Sequence, residues 1–186
     1  MSAPHDTDTP AIGRIARPAL FLDRDGVINV DKGYVRSVDA FEWIEGAAKT
    51  IAAFNARNWL VFVVTNQSGI AHGYYTEAEM HDLHAWMCAE LEKSGARIDR
   101  IYYCPFDKDG TVPAFTRDSY DHKPNPGMLL QAMTDFAVDK DRSFLIGDKE
   151  TDIAAARAAG IQGFLFSRGD LSRFAEWALA DVAANR

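Results

Sequence analysis

Five short runs of the chain are mainly apolar and are separated by stretches of helical period. The runs are 19–22 (ALFL), 59–65 (WLVFVVT), 98–104 (IDRIYYC), 143–147 (SFLIG) and 163–166 (GFLF). Runs of this kind, without in-and-out alternation, predict strands covered on both faces, as in a parallel sheet. Helices are predicted over 46–58, 76–94, 126–136, 150–159 and 171–184. The second opens on Thr76-Glu77-Ala78-Glu79, a capping-box pattern, and stops before Gly95. The third is expected to take Asn125 as its cap, with Pro126 in the first turn. The fourth stops at Gly160. Strand followed by helix, repeated, predicts a single Rossmann-like α/β domain: a central parallel sheet flanked by helices, with no large cap domain. Residues 18–186 form this domain in the reading, after a flexible polar tail at 1–17.

Two connections are long, 29–45 and 105–123. Both follow strand C-termini, the edge where α/β sheets place their sites.

Composition narrows the class. The 186 residues are 47% hydrophobic and 25% charged, which excludes a disordered or low-complexity chain. A net charge of −7 argues against nucleic-acid partners, and no apolar run reaches a membrane span. Two cysteines form no disulfide framework. These features predict a cytoplasmic location, and a monomer is expected because nothing demands a partner chain.

Four segments carry chemistry. The first strand runs into Asp23-Arg24-Asp25-Gly26, whose two acids point the same way if the chain is extended. Alone, such a pair is equally an acidic turn. The second strand ends in Thr65-Asn66-Gln67-Ser68-Gly69, a cluster of donors. The fourth ends in Gly147-Asp148-Lys149-Glu150-Thr151-Asp152, where Asp148 is the better ligand. Asp152 reads as a helix-capping acid or as a supporting residue. His122-Lys123-Pro124 places a lysine before the third helix. All four map to one side of the sheet. Several carboxylates in one cleft need a hard cation, and Mg²⁺ suits oxygen ligands. With Lys123 and Thr65 beside it, the cation would attract a phosphate, and a carboxylate can attack phosphorus.

The segments DRDG, TNQSG, HKPNPG and GDKETD resemble the haloacid dehalogenase (HAD) superfamily of aspartate-nucleophile phosphatases. More narrowly, 18–169 resembles its heptose-1,7-bisphosphate phosphatase branch, related to the histidinol phosphatases. The resemblance implies an Mg²⁺-dependent phosphomonoesterase acting on a small sugar phosphate, with a heptose bisphosphate leading and histidinol phosphate as the alternative. It implies Asp23 as nucleophile, Asp25 as general acid/base, and Thr65 and Lys123 as the phosphoryl clamp. Metal ligands would be Asp23, Asp148 and the backbone carbonyl of Asp25. Substrate contacts would fall on Asp31, Lys32, Gly33, Tyr34, Asn66, Gln67, Ser68, His122 and Lys149. A non-hydrolytic receiver-like module is the rival of another class, and Asp25 speaks against it, because a phospho-acceptor needs no acid two residues on.

The chain departs from the family pattern in the 105–123 loop. Relatives often hold zinc there with Cys-x-His and a later Cys-x-Cys; here Cys104 remains, but the other positions are Phe106, Ser119 and Asp121. No structural zinc is expected, and Phe106, Phe115 and Tyr120 are expected to fix the loop instead. His72 and His122 stand where arginines are common. His81 and His84 are expected to be surface or helix-packing residues, and Cys88, Trp43, Trp59, Trp86 and Trp177 packing residues.

Overall fold

The computed structural model describes residues 15–185. Five strands, β1 (Ala19–Leu22), β2 (Leu60–Asn66), β3 (Arg100–Cys104), β4 (Phe144–Gly147) and β5 (Gln162–Leu165), form one sheet in the order β3-β2-β1-β4-β5. Every pairing is parallel. The helices are α1 (Ala47–Ala56), α2 (Glu77–Lys93), α3 (Gly127–Asp135), α4 (Glu150–Ala159) and α5 (Leu171–Ala184). Short 3-10 turns at Val38–Ala40 and Lys140–Arg142 were not anticipated by the sequence pattern.

The unbroken apolar strands serve two cores. Leu20, Leu22, Val61 and Val63 pack with α1, α2 and α5 on one face. Their sequence neighbours Ala19, Phe21, Leu60, Phe62 and Val64 pack with α3 and α4 on the other. Alternate side chains leave a strand in opposite directions, so a sheet covered on both sides demands apolar residues at each position.

Helix boundaries follow local chemistry. At α2 the Thr76 hydroxyl accepts from the Glu79 N–H (3.2 Å), and the Thr76 N–H donates to the Glu79 carboxylate (2.8 Å). α4 ends at Gly160 in the left-handed conformation. The expectation for α3 is corrected: its cap is Pro126, and the Asn125 side chain instead donates to the Ser119 carbonyl (3.1 Å). The cause is a competing acceptor in the preceding loop.

Most of the predicted tail, residues 1–14, lies outside the described residues. Arg17, its last residue, is tied to the domain: its N–H donates to the Ala137 carbonyl (2.9 Å) and its carbonyl accepts from Asp139 (2.8 Å). Trp177 departs from the packing expectation, standing 55% exposed on α5. No helix among the described residues is long and apolar enough to cross a membrane.

Candidate active site

The C-terminal ends of β1, β2 and β4 surround a cavity of about 270 Å³. Asp23 and Asp25 line it from the β1 end, Thr65, Asn66 and Ser68 from β2, and Thr151 and Asp152 from the start of α4. His122 and Lys123 reach it from the loop before α3. Asp31, Gly33 and Tyr34 line it from the first long loop, with Lys149 opposite. In a parallel sheet all strands end on one side, so residues 129 apart in the chain share one cleft.

Gly26 turns the chain out of β1 with φ +85°, and a side chain there would collide with Asp148. Absence of a Cβ at Gly26 therefore lets the β1 and β4 acids approach.

Lys123 is 3% exposed. Its Nζ donates to the Val64 carbonyl (2.8 Å) and pairs with Asp23 Oδ1 (3.1 Å) and Asp152 Oδ1 (2.5 Å). Burial alone would lower its pKa, but Asp23 and Asp152 more than offset this and hold it raised. The Asn66 amide brackets the Lys123 backbone, accepting from its N–H (3.0 Å) and donating to its carbonyl (3.1 Å). The Lys123–Pro124 peptide is cis.

Asp23 Oδ1 also accepts from the Arg24 N–H (2.7 Å), and Oδ2 has no protein donor among the described residues. Burial, only partly countered by Lys123 and reinforced by Asp152 and Asp25, pushes Asp23 up to about 7. Asp148 is likewise raised, chiefly by burial. Its Oδ1 is buried without a hydrogen-bond partner among the described residues.

Carboxylate oxygens of Asp23, Asp148 and Asp152 lie within 4.8 Å of one another. Crowded, desolvated acids with an orphaned oxygen are the donor set of a hard divalent cation, so these residues fit one. The Asp25 carboxylate is not one of these three. Asp152, read as a capping or supporting acid, does both: Oδ2 accepts from the Lys149 N–H (3.0 Å), while Oδ1 pairs with Lys123.

The Asp25 carboxylate is surrounded by donors. Arg24 Nη2 reaches both oxygens (3.0 and 2.8 Å), Asn29 Nδ2 reaches Oδ1 (2.9 Å) and Gln67 Nε2 reaches Oδ2 (3.2 Å). Gln67 is a correction. It is 1% exposed and does not line the cavity; it bridges Asp25 to Thr65 Oγ1 (3.0 Å) and accepts from the Tyr75 hydroxyl (2.6 Å). Its amide is spent beneath the site. Burial pushes the Tyr75 phenol up, which keeps it a donor to Gln67. Lys32 is also displaced from its expected place: it pairs with Glu42 (2.8 Å) and lines a neighbouring groove. Lys149 pairs with Asp31 (3.0 Å) across the cavity mouth, and the Gly33 N–H and Lys149 together outweigh burial to lower Asp31.

His72 does not line the cavity; it faces Asp107 (3.3 Å) and stacks on Tyr74. His122 Nδ1 lies 2.7 Å from the Phe106 carbonyl, so Nδ1 carries the proton and donates. In the long loop, Phe106 packs against Phe115, and Arg117 lies over the Phe106 ring at 3.7 Å. Tyr120 is 63% exposed and takes no part through its ring, so Arg117 fills the place expected for it. Arg24, which sequence reasoning passed over, is buried against Asp25, and His84, expected to be a surface or packing residue, is buried against Arg24. No local signal marks Arg24, since arginine is ordinarily a surface residue.

Comparison with known proteins agrees with this geometry. A HAD-hydrolase-like family model matches residues 121–183. The chain is 44% identical over 166 residues to the D-glycero-beta-D-manno-heptose-1,7-bisphosphate 7-phosphatase of Rhodopseudomonas palustris, covering 89% of this chain and 92% of that one. It is also 44% identical over 165 residues to the D-glycero-alpha-D-manno-heptose-1,7-bisphosphate 7-phosphatase of Burkholderia mallei, covering 88% and 87%. Among solved structures, the D,D-heptose 1,7-bisphosphate phosphatase of B. bronchiseptica, complexed with magnesium and phosphate, superposes with a TM-score of 0.78 at 29% identity, covering 88% of this chain and 99% of that one. With relatives this similar across nearly the whole chain, the protein belongs to the heptose-1,7-bisphosphate phosphatase family of HAD-like phosphatases.

Proposed function

We propose that the protein removes the 7-phosphate of a D-glycero-D-manno-heptose 1,7-bisphosphate through an aspartyl-phosphate intermediate. The observation that carries this reading is that Asp23 and Asp25 line one cavity together with Thr65 and Lys123.

Asp23 attacks phosphorus. The bond from phosphorus to the sugar oxygen breaks, and its electron pair leaves on that oxygen. Asp25, protonated at this stage, donates its proton there. Water then attacks the phosphoryl group and gives a proton to Asp25. The bond to Asp23 breaks, inorganic phosphate is released, and both acids return to their starting states. Lys123, from the loop before α3, and the Thr65 hydroxyl, at the end of β2, hold the transferring group. Asp23, Asp148 and the Asp25 backbone carbonyl would hold Mg²⁺, with Asp152 beside them; the cation would neutralise the charge that otherwise repels a phosphate dianion. His122, Tyr34 and Lys149 line the mouth, where the sugar and its second phosphate would lie.

A phosphate-release screen with Mg²⁺ tests this. It should include both anomers of heptose 1,7-bisphosphate, simple sugar monophosphates and histidinol phosphate. The highest kcat/KM is expected on a heptose bisphosphate. A higher value on histidinol phosphate would overturn the substrate assignment.

A further inference from the structure

Arg24 stands between the two first-strand acids and is 0% exposed. A guanidinium taken out of water must be paired on several sides. Its Nη2 serves Asp25 and the Val35 carbonyl (2.7 Å). Its Nη1 lies 3.0 Å from Nε2 of His84, which belongs to α2, 60 residues further along. Guanidinium has no acceptor, so His84 Nε2 accepts and the ring proton sits on Nδ1. Burial first, then the Arg24 charge and His81, hold His84 down to about 3, which preserves it as an acceptor.

We infer that His84 is a positioning residue for the reaction: through Arg24 it fixes where the Asp25 carboxylate stands. The inference rests on the acid/base role proposed for Asp25. Asn29 and Gln67 each hold one oxygen of that carboxylate, but among the described residues only Arg24 touches both. Without an acceptor at His84, Nη1 must seek another partner, and the guanidinium is free to rotate. Asp25 then loses its two-point hold. A displacement of about 1 Å at a reacting group can cost about 100-fold in rate.

The test compares an alkyl phosphate, whose leaving oxygen needs a proton, with a nitrophenyl phosphate, whose leaving oxygen does not. His84→Gln places an amide oxygen near the Nε2 position; His84→Asn is too short to do so. His84→Asn is expected to lower kcat on the alkyl phosphate about 10- to 100-fold and on the nitrophenyl ester only about threefold. His84→Gln is expected to recover most of the alkyl rate. Arg24→Lys, which keeps a charge but cannot bridge both partners, should reproduce the selective loss and serves if His84→Asn does not fold. Equal losses on both substrates, or indistinguishable Gln and Asn variants, would overturn the inference. Asp25→Asn separates it from the reading beneath. If Asp25→Asn shows no leaving-group dependence, the acid/base role itself fails. If Asp25→Asn shows it while His84→Asn and Arg24→Lys do not, only the positioning role fails.

Discussion

Lys123 Nζ lies 2.5 Å from Asp152 Oδ1, a buried ion pair that joins the loop before α3 to the first turn of α4. The pair holds the lysine beside Asp23 and fixes the start of α4 through the Lys149 N–H. One acid thus serves both the charge balance of the site and the architecture of its wall.

Breaking that pair should be costly. Asp152→Ala leaves a buried lysine with one carboxylate instead of two, and removes the cap of α4. Loss of one partner of a buried pair typically costs about 3–5 kcal/mol. Asp152→Asn keeps an acceptor for the Lys149 N–H and should cost less. Urea denaturation of both variants measures the difference; an Asp152→Ala protein as stable as wild type would show the pair to be idle.

The two first-strand acids should fail in different ways. Asp23→Asn loses the attacking oxygen, so turnover and phosphoenzyme both disappear. Asp25→Asn should lose about 10²–10⁴-fold in kcat. Any phosphate trapped on that variant should map to Asp23, because water activation is impaired. Intact mass followed by peptide mapping decides this; phosphate on residue 25 of wild type, or an active Asp23→Asn, would reverse the roles.

His84 predicts a pH signature in stability. In the fold it remains neutral down to about 3, whereas the unfolded chain protonates near 6.5. Between these values the unfolded state binds the extra proton, so stability falls as pH falls, by up to about 1.4 kcal/mol per pH unit for one group. Above 6.5 the two states bind equally and the contribution is flat. His84→Gln should therefore show a shallower stability loss than wild type between pH 6.5 and 5, measured by urea titration at each pH. Parallel curves would mean that the imidazole is not held neutral.

His122 bears on substrate preference. Its Nδ1–H is committed to the Phe106 carbonyl, so the neutral ring offers Nε2 only as an acceptor. Arginine would offer a fork of donors. His122→Arg should lower KM for a bisphosphate more than for the matching monophosphate. An unchanged ratio of the two KM values would remove His122 from phosphate recognition.

The loop around Cys104 should purify without stoichiometric zinc. Four Cys or His ligands make a structural site, and here the Cys104 thiol and His122 Nδ1 both face the Phe106 carbonyl. Elemental analysis showing one tightly held zinc per chain would contradict this.

The inner strands β1, β2 and β4 were legible in the sequence because a sheet covered on both faces calls for apolar residues at successive positions. Val61 and Phe62 serve opposite cores, yet both are 0% exposed. α2 and α4 were legible because their ends are local chemistry: Thr76 with Glu79, and Gly160 in a left-handed turn. The acids at the strand ends were legible through position and through resemblance to a known family. Tertiary structure alone decided the strand order and, with it, the partners that lie far apart in the chain. Arg24 meets His84 across 60 residues, and Lys123 meets Asp152 from a different loop. Gln67 sits under the site because Tyr75 and Thr65 both claim its amide. Such pairings depend on which strands are neighbours and how the long loops return. Local periodicity and backbone preference carry neither, so the buried polar partners of a site emerge only when the sheet is assembled.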